Sequence, residues 1–187
     1  MKYSKNWSTP IGRLELCIPD DVRNKLIEAV HHHCNTYEPR SKSLFDYNEQ
    51  SINIDELKEF EKISNELIRY YLTNAYDITE TDKLSIEARA FTKYADEGKE
   101  TVTDYYQGFD GVLVYYLDVK DKCEHLFFDP RPTVNYPADE KVTVYEPKTG
   151  TVLIHPSYLW YNTKSFVGKS IIINYRVLTL MNEMANE

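Results

Sequence analysis

Glycine and proline are scarce, at 6 and 8 of 187 residues, which excludes collagen-like and low-complexity architectures. Cysteine is scarcer still. Cys17, Cys34 and Cys123 are odd in number and far apart, so they read as no disulfide framework and point to a reducing compartment. No apolar run approaches the ~18 residues that a membrane span requires. The opening MKYSKNWSTP lacks the apolar stretch of a secretory signal. These absences lead us to expect a cytoplasmic protein that is neither secreted nor membrane-bound. Basic residues are also in deficit. There are 22 against 30 acidic ones, a net charge of −8, which argues against nucleic acid or an anionic membrane as partner, because a phosphate surface calls for a basic face.

What is present is a globular composition, 42% hydrophobic and 28% charged. The length suits one domain spanning 1–187, large enough to bury a core without staples. The excess is in tyrosine, 16 residues beside 7 Phe and 2 Trp. That load suits β-sheets and ligand pockets.

Leu14, Leu16 and Ile18 alternate with polar neighbours, which predicts a short half-buried strand. Asp20 is a candidate N-cap for a helix carrying Val22, Leu26, Ile27 and Val30, ending near 33–35. Turn-forming residues across 36–52 predict a loop. Leu57, Phe60, Ile63, Leu67, Ile68 and Tyr71 then make the stripe of a second helix running from 53–55 to Tyr76. From Lys83 the period falls to two. GVLVYYLDV, EHLFFDP, KVTVYEP, TVLIHP, SYLWYN and SIIINYRVLTL are short β-branched and aromatic runs separated by turn signals. Two helices followed by seven or eight strands predict an α+β fold: helical support over 1–80 and a jelly-roll core over 81–180.

The ordered series FTKYADEGKETVTDYYQGFDGVLVYYLDV, EHLFFDPRP, EPKTGTVLIHPSYLWYN and KSIIINYRV resembles the 2-oxoglutarate/Fe(II) dioxygenases, and in particular the small phage-type and bacterial putative oxygenases. NWSTPIGRLEL and the helix after it fit the same branch. The resemblance implies a double-stranded β-helix with N-terminal helices packed on one sheet. It implies Fe(II) held by two histidines and a carboxylate, and a cation that pairs with the distal carboxylate of 2-oxoglutarate.

Mapped through the resemblance, the first ligand pair falls in Thr101–Asp104. Asp104 supplies the carboxylate, while Val102 stands where the histidine belongs. The distal histidine position is Tyr161, and the co-substrate cation position is Lys169 or Ser170. Both imidazoles are thus replaced. Asp104 reads as a vestigial ligand, an acid/base, a hydrogen-bond acceptor or a solvated turn residue. Tyr161 reads as a phenol filling the metal's place and bonding Asp104.

Two histidines are candidates to rescue the site. His155 reads as a displaced ligand near Asp104 or as a strand-end histidine bonded to a carbonyl. His125 reads as a new ligand or as an edge or surface residue. His31, His32 and His33 resemble a metal box, but consecutive helical residues diverge by about 100°, so the better reading is cations favoured at a helix C-terminus. Tyr106, Tyr115 and Tyr161, with Lys169, Ser170 and Arg176, are the expected lining of a ligand pocket. Arg176 follows Ser170 on one face of the last strand and reads as an anion anchor or a surface residue. Arg131 reads as structural.

The reading favoured here is a pseudo-enzyme: an oxygenase scaffold without metal or cofactor, binding a protein or small molecule. Through the resemblance it would work in the cytoplasm, in the host cytoplasm or in a virion if phage-encoded, and exposed edge strands would permit a homodimer. The alternative is an active 2-oxoglutarate/Fe(II) hydroxylase whose metal site is rebuilt from Asp104 with His155 or His125. A third reading has Asp104 and a tyrosine as a metal-free acid/base pair.

Overall fold

The computed structural model describes residues 2–6, 9–36, 49–80, 84–95, 110–128, 142–168 and 170–181. The order of elements is β1 (Lys2–Asn6), β2 (Thr9–Glu15), α1 (Asp20–Thr36), β3 (Glu49–Ser51), a 3-10 turn (Asp55–Leu57), α2 (Lys58–Tyr76), β4 (Leu84–Ala95), β5 (Gly111–Asp118), β6 (Cys123–Phe128), β7 (Val142–Tyr145), β8 (Thr151–Pro156), β9 (Tyr161–Ser165) and β10 (Ser170–Met181). The strands form a seven-stranded sheet ordered β1-β2-β8-β5-β10-β4-β3 and a three-stranded sheet ordered β7-β6-β9. Every pairing is antiparallel. With two helices supporting one sheet, this is the α+β double-stranded β-helix.

The sequence dictates both helix ends. Pro19 supplies its carbonyl to the amide of Arg23 at 2.9 Å, so it caps α1 and Asp20 is the first helical residue, paired with Arg23 at 2.8 Å. α2 stops where Asp77 turns left-handed (φ 56°) and its amide bonds the Leu72 carbonyl, a common way to satisfy an orphan carbonyl. Its buried residues are Phe60, Ser64, Ile68 and Tyr71, at helical spacing. The expected strand at 14–18 is instead β2, ending at Glu15, while Leu14, Leu16 and Ile18 still pack toward the helices. The expected loop at 36–52 contains the end of α1 and the short strand β3.

Alternation along the central strands produces two cores, one on each side of the large sheet. Leu113, Tyr115 and Leu117 of β5, Ile154 of β8 and Ile171, Ile173 and Tyr175 of β10 meet Leu26 and Val30 of α1 and Phe60, Ile68 and Tyr71 of α2. Phe60 seats its ring 4.4 Å from Tyr115 and 5.5 Å from Tyr175. The opposite residues, Val112, Val114, Tyr116, Leu153 and Ile172, face the small sheet, meeting Cys123, Phe127, Leu159 and Tyr161. This second layer is the barrel interior. Because β5 and β8 are covered on both faces, their sequences read as continuous apolar runs.

Candidate active-site region

The barrel interior is built by inward ladders. On the small sheet, β6 and β9 pair Phe127 with Tyr161, His125 with Thr163 and Cys123 with Ser165, and none of the six exceeds 1% exposure. His155 enters from the end of β8, where its strand neighbour is Val112 of β5. Tyr116 descends from β5. Ser170, Ile172, Asn174 and Arg176 follow one another on the inner side of β10, and β4 offers Arg89 and Phe91 beside them.

At the centre four rings lock together. The Tyr161 ring stacks on His125 at 4.7 Å and 11° and meets His155 edge-on at 5.0 Å. Phe127 lies 4.4 Å from His125 and 4.9 Å from His155. The two imidazoles are 6.1 Å apart, and Phe127 and Tyr161 are 6.3 Å apart. Each carbocyclic ring therefore touches both imidazoles, one on either side of the line that joins them.

The polar atoms of the layer are tied inward. Nδ1 of His155 lies 2.8 Å from the carbonyl of Pro156. A carbonyl only accepts, so the proton is on Nδ1 and the lone pair on Nε2. Burial, only partly offset by that carbonyl, pulls the His155 pKa down to about 4, so the ring is neutral at physiological pH. Nδ1 of His125 lies 2.6 Å from the Tyr116 hydroxyl. Burial first, and Cys123 second, hold the Tyr116 phenol well above its ordinary pKa, so it stays protonated, and it meets Nδ1 as donor or acceptor according to the His125 tautomer. Burial likewise pushes the Cys123 thiol up to about 12. The Ser170 hydroxyl lies 3.3 Å from that of Ser165, which in turn reaches the carbonyls of Val167 and Gly168.

The residues singled out from the sequence are partly gathered here. Tyr161, His125 and His155 share the ring cluster, and Ser170 and Arg176 face the same interior. His125 is not at an edge or on the surface: β6 is the middle strand of its sheet, and the side chain is fully buried. Tyr115 points through the large sheet to the helices, so it does not share a lining with Tyr161. Asp104, Val102, Tyr106, Lys169 and Arg131 lie outside the described residues. His31, His32 and His33 sit within α1, and the latter two border an open groove of about 530 Å³ with Lys25, Glu28, Ala29, Ile54 and Glu56, outside the barrel. The pocket lining expected from the sequence left out Tyr116, Phe127 and Phe91. Tyr116 and Phe127 carried a signal in the alternation of GVLVYYLD and CEHLFF, whose Val112, Val114 and Tyr116, and Cys123, His125 and Phe127, each share one face.

The fit to Fe(II) and 2-oxoglutarate can be tested on these groups. Fe(II) of this kind takes imidazole and an anionic carboxylate on one face. Among the described residues no three His, Cys, Asp or Glu side chains converge to hold an ion. The position that the resemblance assigns to the distal histidine carries a buried phenol, and one of the two that it assigns to the co-substrate's cation carries a hydroxyl beside that of Ser165. Nδ1 of His125 is taken up by the Tyr116 hydroxyl, which leaves only Nε2 for another partner. The described residues do not fit the metal.

No protein-family model matches the sequence, and no curated protein does either. Solved structures do. A Pseudomonas putida prolyl-4-hydroxylase superposes with a TM-score of 0.64 at 12% identity, over 91% of this chain and 93% of that one. The non-heme alpha-ketoglutarate-dependent carbocyclase SnoK from nogalamycin biosynthesis gives 0.61 at 7%, over 95% and 84%. AviO1 from Streptomyces viridochromogenes gives 0.55 at 12%, over 90% of each. The chain has the double-stranded β-helix fold of the 2-oxoglutarate/Fe(II) oxygenases. No helix among the described residues is long and apolar enough to cross a membrane.

Proposed function

We propose that this protein is a pseudo-enzyme of the 2-oxoglutarate/Fe(II) oxygenase fold, a binding module that does not use iron or 2-oxoglutarate. The observation that carries the reading is Tyr161. It is fully buried and packed against both His125 and His155, at the place where the sequence resemblance expects the distal iron-binding histidine. Val102, at the other histidine position, points the same way. The partner is a protein or a small molecule, met in the cytoplasm of the cell or of a phage host.

One observation favours a second reading, the active hydroxylase. The two rescue histidines do meet, with ring centroids 6.1 Å apart, so a site completed by Asp104 has two imidazoles to draw on. It would require Phe127 and Tyr161, which pack against both imidazoles, to give way.

Anaerobic titration of the tag-free protein with Fe(II), with and without 2-oxoglutarate, separates the two. The pseudo-enzyme gives neither binding heat nor the visible charge-transfer band of chelated 2-oxoglutarate. Tight one-to-one uptake with that band would overturn it in favour of a rebuilt site.

A further inference from the structure

Strand β7 reads Val142-Thr143-Val144-Tyr145. It is an edge of the small sheet, yet it carries neither a charge nor a proline, the residues that ordinarily keep an edge strand from meeting another chain. Alternation sends Thr143 and Tyr145 inward beside Phe127 and His125, and Val142 and Val144 to the outer face. There the register builds two apolar rows. Val142 stands beside Phe128, whose amide bonds the Trp160 carbonyl at 3.0 Å. Val144 stands beside Leu126, which pairs with Asn162. Val142, Leu126 and Phe128 are half-buried, but Val144 is 49% and Trp160 51% exposed. Both helices pack on the large sheet, on the opposite side of the barrel from this face.

The charges beside the apolar rows cancel. Glu124 pairs with Lys164 across β6 and β9. Lys122 reaches Glu124 at 3.1 Å and Glu146 at 3.6 Å, and Lys122 and Lys164 both lie over the Phe166 ring, at 4.7 and 5.3 Å. Two lysines and two glutamates sum to zero, so the net charge of −8 sits on the rest of the molecule. A basic partner is drawn to that acidic remainder. Two copies of the chain repel one another over most of their surface and least at this face. Size sets the strength. With strands about 4.8 Å apart and a rise of about 3.4 Å per residue, the apolar rows make a footprint of the order of a few hundred Å². That is less than the roughly 800 Å² per partner of a standard interface, so the contact is weak and depends on concentration.

We infer that the outer face of the small sheet is where two copies of this chain meet about a two-fold axis, apolar rows on apolar rows, as a weak homodimer. A two-fold contact brings each patch onto its own copy, and sheets pack face to face about 10 Å apart. The contact is through a sheet face, where the sequence pointed to strand edges. It goes beyond the binding role proposed above and holds whether or not iron binds.

Sedimentation velocity of the full chain from about 1 to 300 μM tests it. The expected result is a monomer–dimer equilibrium in the micromolar range that added salt strengthens, because screening relieves repulsion between the acidic remainders. Val144→Lys, on an exposed side chain, should keep the fold by circular dichroism and weaken dimerisation about tenfold or more, because it sets like charges into the contact. Val144→Thr keeps the β-branched shape and should weaken it less, and it decides the matter alone if Val144→Lys fails to fold. A parent chain that stays monomeric throughout would overturn the inference. So would a dimer of parent strength in the folded variants, which would be joined elsewhere, as by a strand edge. A monomer that takes up a different protein on this face would give the surface to that partner and overturn the second copy.

Discussion

The Tyr116 phenol and Nδ1 of His125 share a buried hydrogen bond of 2.6 Å that joins the large sheet to the small one across the barrel interior. Both side chains are fully buried, so removing one partner leaves the other desolvated and unsatisfied. Tyr116→Phe should therefore cost about 1–3 kcal/mol, read as a lower denaturant midpoint at unchanged slope. His125→Phe should cost a similar amount. The double variant should lose less than the two added together, because no orphan remains. Additive losses would show that the hydrogen bond contributes nothing.

Restoring imidazoles tests whether the scaffold still remembers a metal site. Tyr161→His alone should bind no Co(II), because Val102 leaves the set incomplete. Tyr161→His with Val102→His should gain Co(II), visible as ligand-field absorption, with Asp104 as the third ligand. A double variant that folds and stays colourless would mean that the resemblance is misaligned at Val102 or Asp104.

Much of the fold was legible because GVLVYYLD, TVLIHP and SIIINYRV are too apolar to be anything but central strands. That same property hid the site. When both faces of a strand are buried, alternation no longer says which face meets the helices, so the expected pocket took in Tyr115 and left out Tyr116. His125, at the opening of LFFDP, read as a new ligand or as an edge or surface residue, yet Cys123, His125 and Phe127 alternate inward. The strands β1 (KYSKN) and β3 (EQS) were missed because short, polar strands at a sheet edge carry no burial pattern. The Arg89–Arg176 pairing depends on register between strands more than eighty residues apart in sequence, which no local pattern encodes.

Gly150 stands at a close approach that admits no side chain. Its φ is +92°, and a Cβ there would lie 2.8 Å from the Leu16 carbonyl oxygen, which is backbone and cannot rotate away. Its amide also bonds the Tyr116 carbonyl and its carbonyl the Leu16 amide, so the turn ties the chain after β2 to β5. Gly150→Ala should destabilise the fold by about 2 kcal/mol or more. A thermal midpoint equal to that of the parent protein would contradict this geometry.

His155 makes stability depend on pH in one direction. Its pKa in the fold is about 4, against an ordinary 6.5, because no water reaches the ring and its nearest neighbours, Phe127, Tyr161 and His125, offer no negative charge. Above pH 6.5 the imidazole is neutral whether the chain is folded or not, and stability owes nothing to its titration. As pH falls from about 6.5 toward 4, the unfolded chain takes up a proton that the folded chain refuses, so folding is progressively penalised. Below about 4 both forms are protonated and the loss levels off at about 3 kcal/mol. Urea unfolding between pH 7 and 4 should show this decline, and His155→Gln, neutral at every pH, should flatten it by that amount. An unchanged slope in the variant would assign the acid sensitivity to other groups and mean that His155 is hydrated or paired in solution.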